Sequence, residues 1–274
     1  RDSSGGGPDK TILNSPRFLR NQGYPMVCAY MRPPDDALFS VLEKRAVEWE
    51  APLVSIDDTG PLDRGVLRDF DALCTELGPA IWHGHDYKSN AIGLWLRRRH
   101  DFALITTVHG WVKRTWKTPL YYAIDRYTLR RHDHVVCVSE DLHEECLQMG
   151  IAPERCTLIH NAIDTDYYRP TRPRIEAKTA LGLPPDTLVI GAVGRLSAEK
   201  GFDKLIHAVS RLESQCPVSL CIAGEGDQER ALHELVQTLG LSDRVKLLGF
   251  VSDNRAFYEA MDVYALSSLR EGLP

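Results

Sequence analysis

No apolar run in this sequence reaches the ~20 residues that a bilayer-spanning helix needs. The chain opens on Arg1 without a basic-then-apolar leader, so no signal peptide is read at its start. Positive charge is not in excess: 33 Lys and Arg stand against 38 Asp and Glu, a net charge of −5, which gives no overall footprint for nucleic acid. Cysteine pairs are missing as well. Cys28, Cys74, Cys137, Cys146, Cys156, Cys216 and Cys221 are scattered without a C-x-x-C spacing, and several fall in apolar, strand-like runs. They are expected to be small core residues in a reducing cytoplasm. Neither a P-loop ending nor a G-x-G-x-x-G fingerprint occurs. There is no internal repeat, and no low-complexity tract beyond the opening glycines. No pair of acidic residues announces an inverting base or a covalent nucleophile. What is present, 274 residues at 43% hydrophobic and 26% charged, is a globular chain able to bury one large or two medium domains.

The most informative stretch is Val189 to Asp203. It begins as a short β-branched run, the pattern of a buried parallel strand, and breaks at Gly194. A helix follows with apolar positions Phe202, Leu205, Ile206, Val209 and Leu212 at a 3.6-residue period. Arg195 ends the strand and Lys200 precedes the helix. A helix start offers unpaired N–H groups and a partial positive charge, so this junction suits a phosphate, and two cations suit a diphosphate. An ordinary strand–turn–helix with two solvated basic residues fits the same pattern.

Around this stretch, strand-like and helix-like segments alternate. Strands are predicted at 25–31, 52–56, 80–82, 102–108, 134–138 and 155–159, with helices at 36–48, 64–77, 87–99, 119–131 and 140–149 between them. Pro170, Pro173, Pro184 and Pro185 then punctuate the chain, which places an inter-domain linker near 170–174. A second series holds strands at 187–193, 218–223, 244–248 and 262–266, with helices at 202–212, 228–239 and 254–261. Such alternation implies parallel sheets flanked by helices, with ligands at the carboxyl ends of the strands. Two domains are expected, 1–170 and 171–274.

Several strings carry a resemblance. Gly194-Arg195-Leu196-Ser197-Ala198-Glu199-Lys200-Gly201-Phe202-Asp203, Ala223-Gly224-Glu225-Gly226, Leu248-Gly249-Phe250-Val251 and Ser268-Leu269-Arg270-Glu271-Gly272 follow one another as in the retaining GT-B glycosyltransferases of glycosyltransferase family 4, the group 1 glycosyl transferases. Gly6-Gly7-Pro8-Asp9-Lys10 resembles that family's Gly-Gly-x-Glu-Lys loop, with Asp9 for Glu. Thr107-Val108-His109-Gly110 resembles its Thr-x-His-Gly segment. Asn161-Ala162-Ile163-Asp164 resembles the tract that closes its first domain, and its residues are read here as a structural turn.

The resemblance implies two Rossmann-like domains facing across a cleft, and transfer of a sugar from a nucleotide-sugar donor with retention. The donor site would use Gly6, Gly7, Arg195, Lys200, Gly249, Phe250, Val251, Glu271, Gly272 and Leu273. The catalytic set would be His109 facing the sugar, Arg195 and Lys200 on the diphosphate, and Glu271 near the sugar. His85 and Asp86 would line the acceptor side, and the acceptor would be a glycan or a lipid-linked glycan. No metal or cofactor is implied, because the cations stand where a divalent ion would act. By the same resemblance the chain is expected to lack the family's first strand and its C-terminal elements, as a fragment would.

Three other readings stay open. His83-x-His85 places two imidazoles on one face of a strand, as metal ligands of a barrel amidohydrolase are placed, with His109 and His160 as further ligands. The chain also fits a non-catalytic nucleotide-sugar-binding fragment. Basic residues at 97–99, 113–117 and 126–131, interleaved with Trp111, Trp116, Tyr121 and Tyr122, fit either an anionic membrane surface, with the protein cytoplasmic and peripheral, or solvated helix faces.

Overall fold

The computed structural model describes residues 7–37, 39–61, 63–110, 118–212, 217–251 and 254–269. The chain divides into two compact units, the first running to Ile163 and the second beginning at Asp164.

The first unit runs α1 (Gly7–Arg20), β1 (Cys28–Arg32), α2 (Phe39–Glu48), β2 (Leu53–Asp57), α3 (Arg64–Leu77) and β3 (Ile81–Gly84). It continues with α4 (Tyr87–Leu96), β4 (Ala103–Val108), α5 (Thr118–Leu129), β5 (His134–Cys137), α6 (Glu140–Gln148) and β6 (Cys156–Leu158). The second unit has α7 (Arg174–Ala180), β7 (Leu188–Val193), α8 (Phe202–Ser210), β8 (Val218–Ala223), α9 (Glu229–Thr238), β9 (Val245–Leu247), α10 (Asn254–Ala260) and β10 (Val263–Tyr264). All strand pairings are parallel. The fold is therefore α/β, two Rossmann-like domains in sequence.

In the first unit β3-β4-β5-β6 form one sheet in chain order, and β1-β2 form a separate pair. The helices start where side chains can replace missing backbone partners. Asp63 caps α3 by accepting from the Gly65 N–H (2.7 Å), and Gly78 closes that helix at φ 53°. Asp86 and Ser89 form a capping box on α4, and Ser139 caps α6. The core has three patches, one of which joins Ile56, Val66, Phe70, Ile92, Leu96 and Leu104 across β2, α3, α4 and β4.

In the second unit the order is β10-β7-β8-β9. The chain lays down β7, β8 and β9 in one direction, then crosses back to put β10 on the far side of β7. The strand order thus reverses between β7 and β10, and ligands of open α/β sheets bind at that point, beyond the carboxyl ends. Every residue of β8 is buried, as a central strand covered on both faces requires. Phe202, Ile206 and Val209 of α8 pack with Ala192, Leu220 and Ile222, each contributing roughly 1.5–3 kcal/mol of burial if the large side chains are counted.

Several expectations need correction. The helix α7 starts at the end of the 170–174 linker, in a stretch where no element is predicted. Lys178 anchors it, donating to the Thr187 carbonyl (2.9 Å) and pairing with Asp262 (2.7 Å). Phe18 of α1 is 52% exposed, with the Arg17 guanidinium over its ring. Leu212 lies past the end of α8 and is exposed, and β10 has two residues rather than five. Six cysteines are buried and free; Cys216 lies outside the described residues. Asp164 does form the expected turn, its carboxylate accepting from the Asp166 and Tyr167 N–H groups (3.0 and 3.1 Å).

Candidate functional site

In the second unit four loops meet at the carboxyl ends of the four strands, joined largely by backbone. After β7, the Gly194 N–H donates to the Ala223 carbonyl (3.0 Å) and the Leu196 N–H to the Glu225 carbonyl (2.8 Å). The Gln228 N–H returns a bond to the Leu196 carbonyl (2.9 Å), and the Gly224 N–H donates to the Gly249 carbonyl (2.8 Å). From the β10 side, the Ser267 hydroxyl donates to the Lys200 carbonyl (2.9 Å) and the Leu269 N–H to the Glu199 carbonyl (2.8 Å). The loops after β7 and β10 are therefore tied together at the switch point itself.

Glycine permits this closeness. At Gly224, with φ 146°, a Cβ would overlap the Gly194 carbonyl oxygen. At Gly201, with φ 60°, it would overlap the carbonyl of Ser267. Because backbone holds the loops, the larger side chains are left at their surface. Arg195 is exposed, and so is Phe250 at 43%. Lys200 is half-buried, and its stem lies against Gly194, Cδ and Cε being 3.5 Å from where a Cβ would stand. Gly201 opens α8 directly after Lys200, and no side chain caps that helix, so its first turn lacks the side-chain acceptor that other helices of the chain have. An anion with two charged groups fits such a surface.

Gly249 takes φ 65° in the turn before Phe250, and Val251 packs partly on the core patch around Val189 and Phe257. Gly7 begins α1. Gly6, Glu271, Gly272 and Leu273 lie outside the described residues, as do Trp111, Lys113, Arg114, Trp116 and Lys117.

In the first unit the histidines form a ladder. β3 and β4 pair with Gly84 opposite Thr106, so side chains 24 residues apart sit diagonally across the two strands. His83 Nε2 and Thr107 Oγ1 are 2.8 Å apart, and one step further His85 Nδ1 and His109 Nε2 are 3.1 Å apart. The rings of His83 and His85 stack at 4.4 Å between centroids, and those of His85 and His109 at 5.4 Å. Desolvation, then the neighbouring His109 and His132, push His83 down to about 4, although part of its surface is exposed. Desolvation, reinforced by His83 and His109, holds His85 well below the usual imidazole range. Both are neutral at pH 7.

Asp86, beside this ladder, accepts from the Ser89 N–H (2.8 Å) as the cap of α4. Lys88 from the same helix grips both carboxylate oxygens of Asp58 (2.6 and 2.7 Å) and the Gly60 carbonyl (2.7 Å), fixing the loop after β2. Residue-by-residue reading missed the Lys88–Asp58 pair, which joins positions 30 apart.

The barrel alternative does not survive. The sheets are open, the histidine nitrogens bond one another and Thr107, and His160 is exposed. Among the described residues, the metal-capable side chains that converge are instead Cys137, Cys146 and Cys156. No helix among the described residues is long and apolar enough to cross a membrane.

Residues 5–167 match the profile of Glycosyltransferase Family 4, and residues 173–274 that of Glycosyl transferases group 1. The lipopolysaccharide core biosynthesis glycosyltransferase LpsE of Rhizobium meliloti is 34% identical over 146 residues, 53% of this chain and 40% of that protein. A D-inositol 3-phosphate glycosyltransferase of Corynebacterium aurimucosum is 27% identical over 222 residues, 73% of this chain and 52% of its own. The chain spans about half the length of the curated relatives it matches. Among solved structures, Anabaena Alr3699/HepE in complex with UDP-glucose superposes with a TM-score of 0.79 at 21% identity, covering 99% of this chain and 73% of that one. The strand order, the loop cluster and the two family profiles agree, and the chain belongs to Glycosyltransferase Family 4, with a group 1 glycosyl transferase region as its second unit.

Proposed function

We propose that this protein is a retaining glycosyltransferase that moves a sugar from a nucleotide-sugar donor to a glycan or lipid-linked acceptor. The observation that carries the proposal is the backbone-tied loop cluster at the β7/β10 switch point, whose loop after β7 carries Arg195 and Lys200 and leads into α8, a helix start without a side-chain cap. Relatives and neighbours support it: HepE is described in complex with UDP and with UDP-glucose, which makes a UDP-sugar the first donor to test.

In this reading Arg195, Lys200 and the α8 N–H groups hold the diphosphate and stabilise its charge as it departs. Phe250 and the turn at Gly249–Val251 receive the nucleobase. Glu271, Gly272 and Leu273 complete the donor side. Gly6 and Gly7 serve the donor side as well. The acceptor oxygen bonds to the anomeric carbon while the bond from that carbon to phosphate breaks on the same face. The acceptor proton passes to the departing phosphate oxygen, so no protein base is needed. His109 contacts the sugar, and His85, with Asp86 shaping its turn, lines the acceptor side. No metal is required, and the basic residues of the first unit serve an anionic membrane surface or acceptor.

The test is thermal stabilisation by UDP with chelator present, followed by UDP-glucose hydrolysis and transfer. Nucleotide binding stabilises the native state by mass action, about 2.7 kcal/mol at a hundredfold excess over Kd. Stabilisation that needs a divalent ion would replace the cation clamp with a metal bridge. Binding of UDP without hydrolysis or transfer from any nucleotide sugar would reduce the proposal to a binding function.

A further inference from the structure

Three cysteines in the first unit point at one another. Cys137 ends β5 on its buried face, Cys156 opens β6, and Cys146 lies on the inner face of α6. The parallel register pairs Val135 with Cys156, so Cys137 sits two residues further along the same face. α6 crosses that face and brings Cys146 onto it. The three sulfurs all lie within 4.8 Å of one another, and those of Cys137 and Cys156 are 3.7 Å apart. All three residues are buried, at 0%, 0% and 5% exposure. Bonds of about 2.3 Å at near-tetrahedral angles hold two sulfurs ~3.8 Å apart, so one ion can bridge this set with small adjustments.

The surroundings decide which ion. Val108, Leu129, Val135, Leu142 and Ile151 pack around the sulfurs. A polar neighbour is His143, whose Nε2–H donates to the Cys156 carbonyl (3.3 Å). Three thiolates around a divalent ion would leave a net negative charge among these apolar side chains, at large cost. A trivalent ion carries no such penalty.

We propose that Cys137, Cys146 and Cys156 form a trithiol site for a trivalent thiophilic ion of the arsenite class. Trihydroxyarsenic condenses with three thiols: three arsenic–oxygen bonds break, three arsenic–sulfur bonds form, and the thiol protons leave with the hydroxyls as three waters. Arsenic stays trivalent, no oxidant or reductant is used, and the product is neutral in a core that tolerates only neutral groups. The sulfurs are enclosed, so loading proceeds through local opening of α6 from the sheet and is slow.

The experiment incubates the reduced chain with arsenite, removes excess reagent, and measures retained arsenic, intact mass and arsenic-edge X-ray absorption. The expected result is one arsenic per chain, three sulfur neighbours, and a mass gain of one arsenic less three hydrogens. Cys146→Ala weakens retention at least roughly tenfold by removing one of three bonds, whereas Cys74→Ala in α3 leaves it unchanged. Cadmium is the divalent comparison and is held more weakly. The proposal is overturned by no retained arsenic, by two-sulfur coordination, by retention unchanged in Cys146→Ala, or by tighter cadmium binding at the same thiols. Should Cys146→Ala fail to fold by circular dichroism, the sulfur count and the mapping of protected cysteines on the unaltered chain decide alone.

Discussion

Removing the His85 imidazole tests whether the histidine ladder acts in transfer or merely fills space. His85 Nδ1 bonds His109 Nε2 at 3.1 Å, and its ring lies between those of His83 and His109. With His85 neutral, that contact sets which nitrogen of His109 carries the proton and how its ring is turned. A neutral hydrogen bond is worth about 0.5–1.5 kcal/mol net, so His85→Ala should lower kcat roughly 2- to 10-fold. Affinity for UDP should hold, because Arg195, Lys200 and Phe250 belong to the other unit. His85→Asn places a donor and an acceptor near the Nδ1 position and should recover most of the rate, whereas His85→Gln reaches past it and should not. Stability supplies an independent readout. His83 at about 4 and His85 well below 6.5 resist protonation in the folded state, while the unfolded chain takes up protons from pH 6.5 downward. The native state should therefore lose stability as pH falls from 6.5 toward 4, and His85→Ala should flatten that loss. A variant with unchanged kcat and an unchanged acid profile refutes the reasoning, and one that loses UDP binding in step with rate shows general damage instead.

Arg195→Ala and Lys200→Ala should each weaken UDP binding about 10- to 100-fold, the worth of a charge-assisted bond, with melting temperature nearly unchanged; calorimetry beside thermal melts checks both. Gly224→Ala should destabilise the second unit by about 2–4 kcal/mol, because φ 146° is strained for alanine and its Cβ meets the Gly194 carbonyl; urea titration measures it, and a midpoint like that of the unaltered chain would mean the loops are not tightly tied. Asp63, lowered to about 2 chiefly by the Thr59 hydroxyl and then by the Thr59 and Gly65 N–H groups, supports α3 fully above its ordinary value of 3.8. That support should fade as pH falls from about 4 toward 2, and Asp63→Ala should lack this segment of the urea-midpoint profile.

Local pattern carried most of the fold. Strands such as Leu188–Val193 and helices such as Arg64–Leu77 announce themselves by β-branched runs, by period and by caps such as Asp63 and Gly78. The helix α7 did not, and the reason is physical. It has seven residues between prolines, too short for its period to register, and its support is long-range. Lys178 reaches Asp262, which also pairs with Arg174 (3.3 Å) and accepts from the Val189 N–H (2.8 Å), and Glu259 accepts from the Thr171 N–H (2.7 Å) and hydroxyl (2.8 Å) and pairs with Arg172 (2.8 Å). Partners 84 to 88 residues away lie outside any window read along the chain. The two-residue β10 is the opposite case: an apolar run long enough for a strand pairs only where β7 lies beside it, at Val263 and Tyr264.

The candidate site divides along the same line. Arg195 and Lys200 were legible because a strand, a glycine and a helix start define a phosphate-sized junction within a dozen residues. The histidine ladder was half legible. Alternation puts His83 and His85 on one face of β3, but pairing His85 with His109 requires the register that sets Gly84 opposite Thr106, which only the folded sheet supplies. That register also gives the ladder its meaning. Two consecutive diagonals, His83 to Thr107 and His85 to His109, repeat the same 24-residue offset, so a shift of β3 by one residue would break both bonds together. The orientation of His109 thus depends on the pairing of two strands as well as on its own neighbours. Substitutions that loosen β3 against β4, such as Trp82→Ala beneath the ladder, should therefore lower transfer rate without touching any residue that contacts the donor.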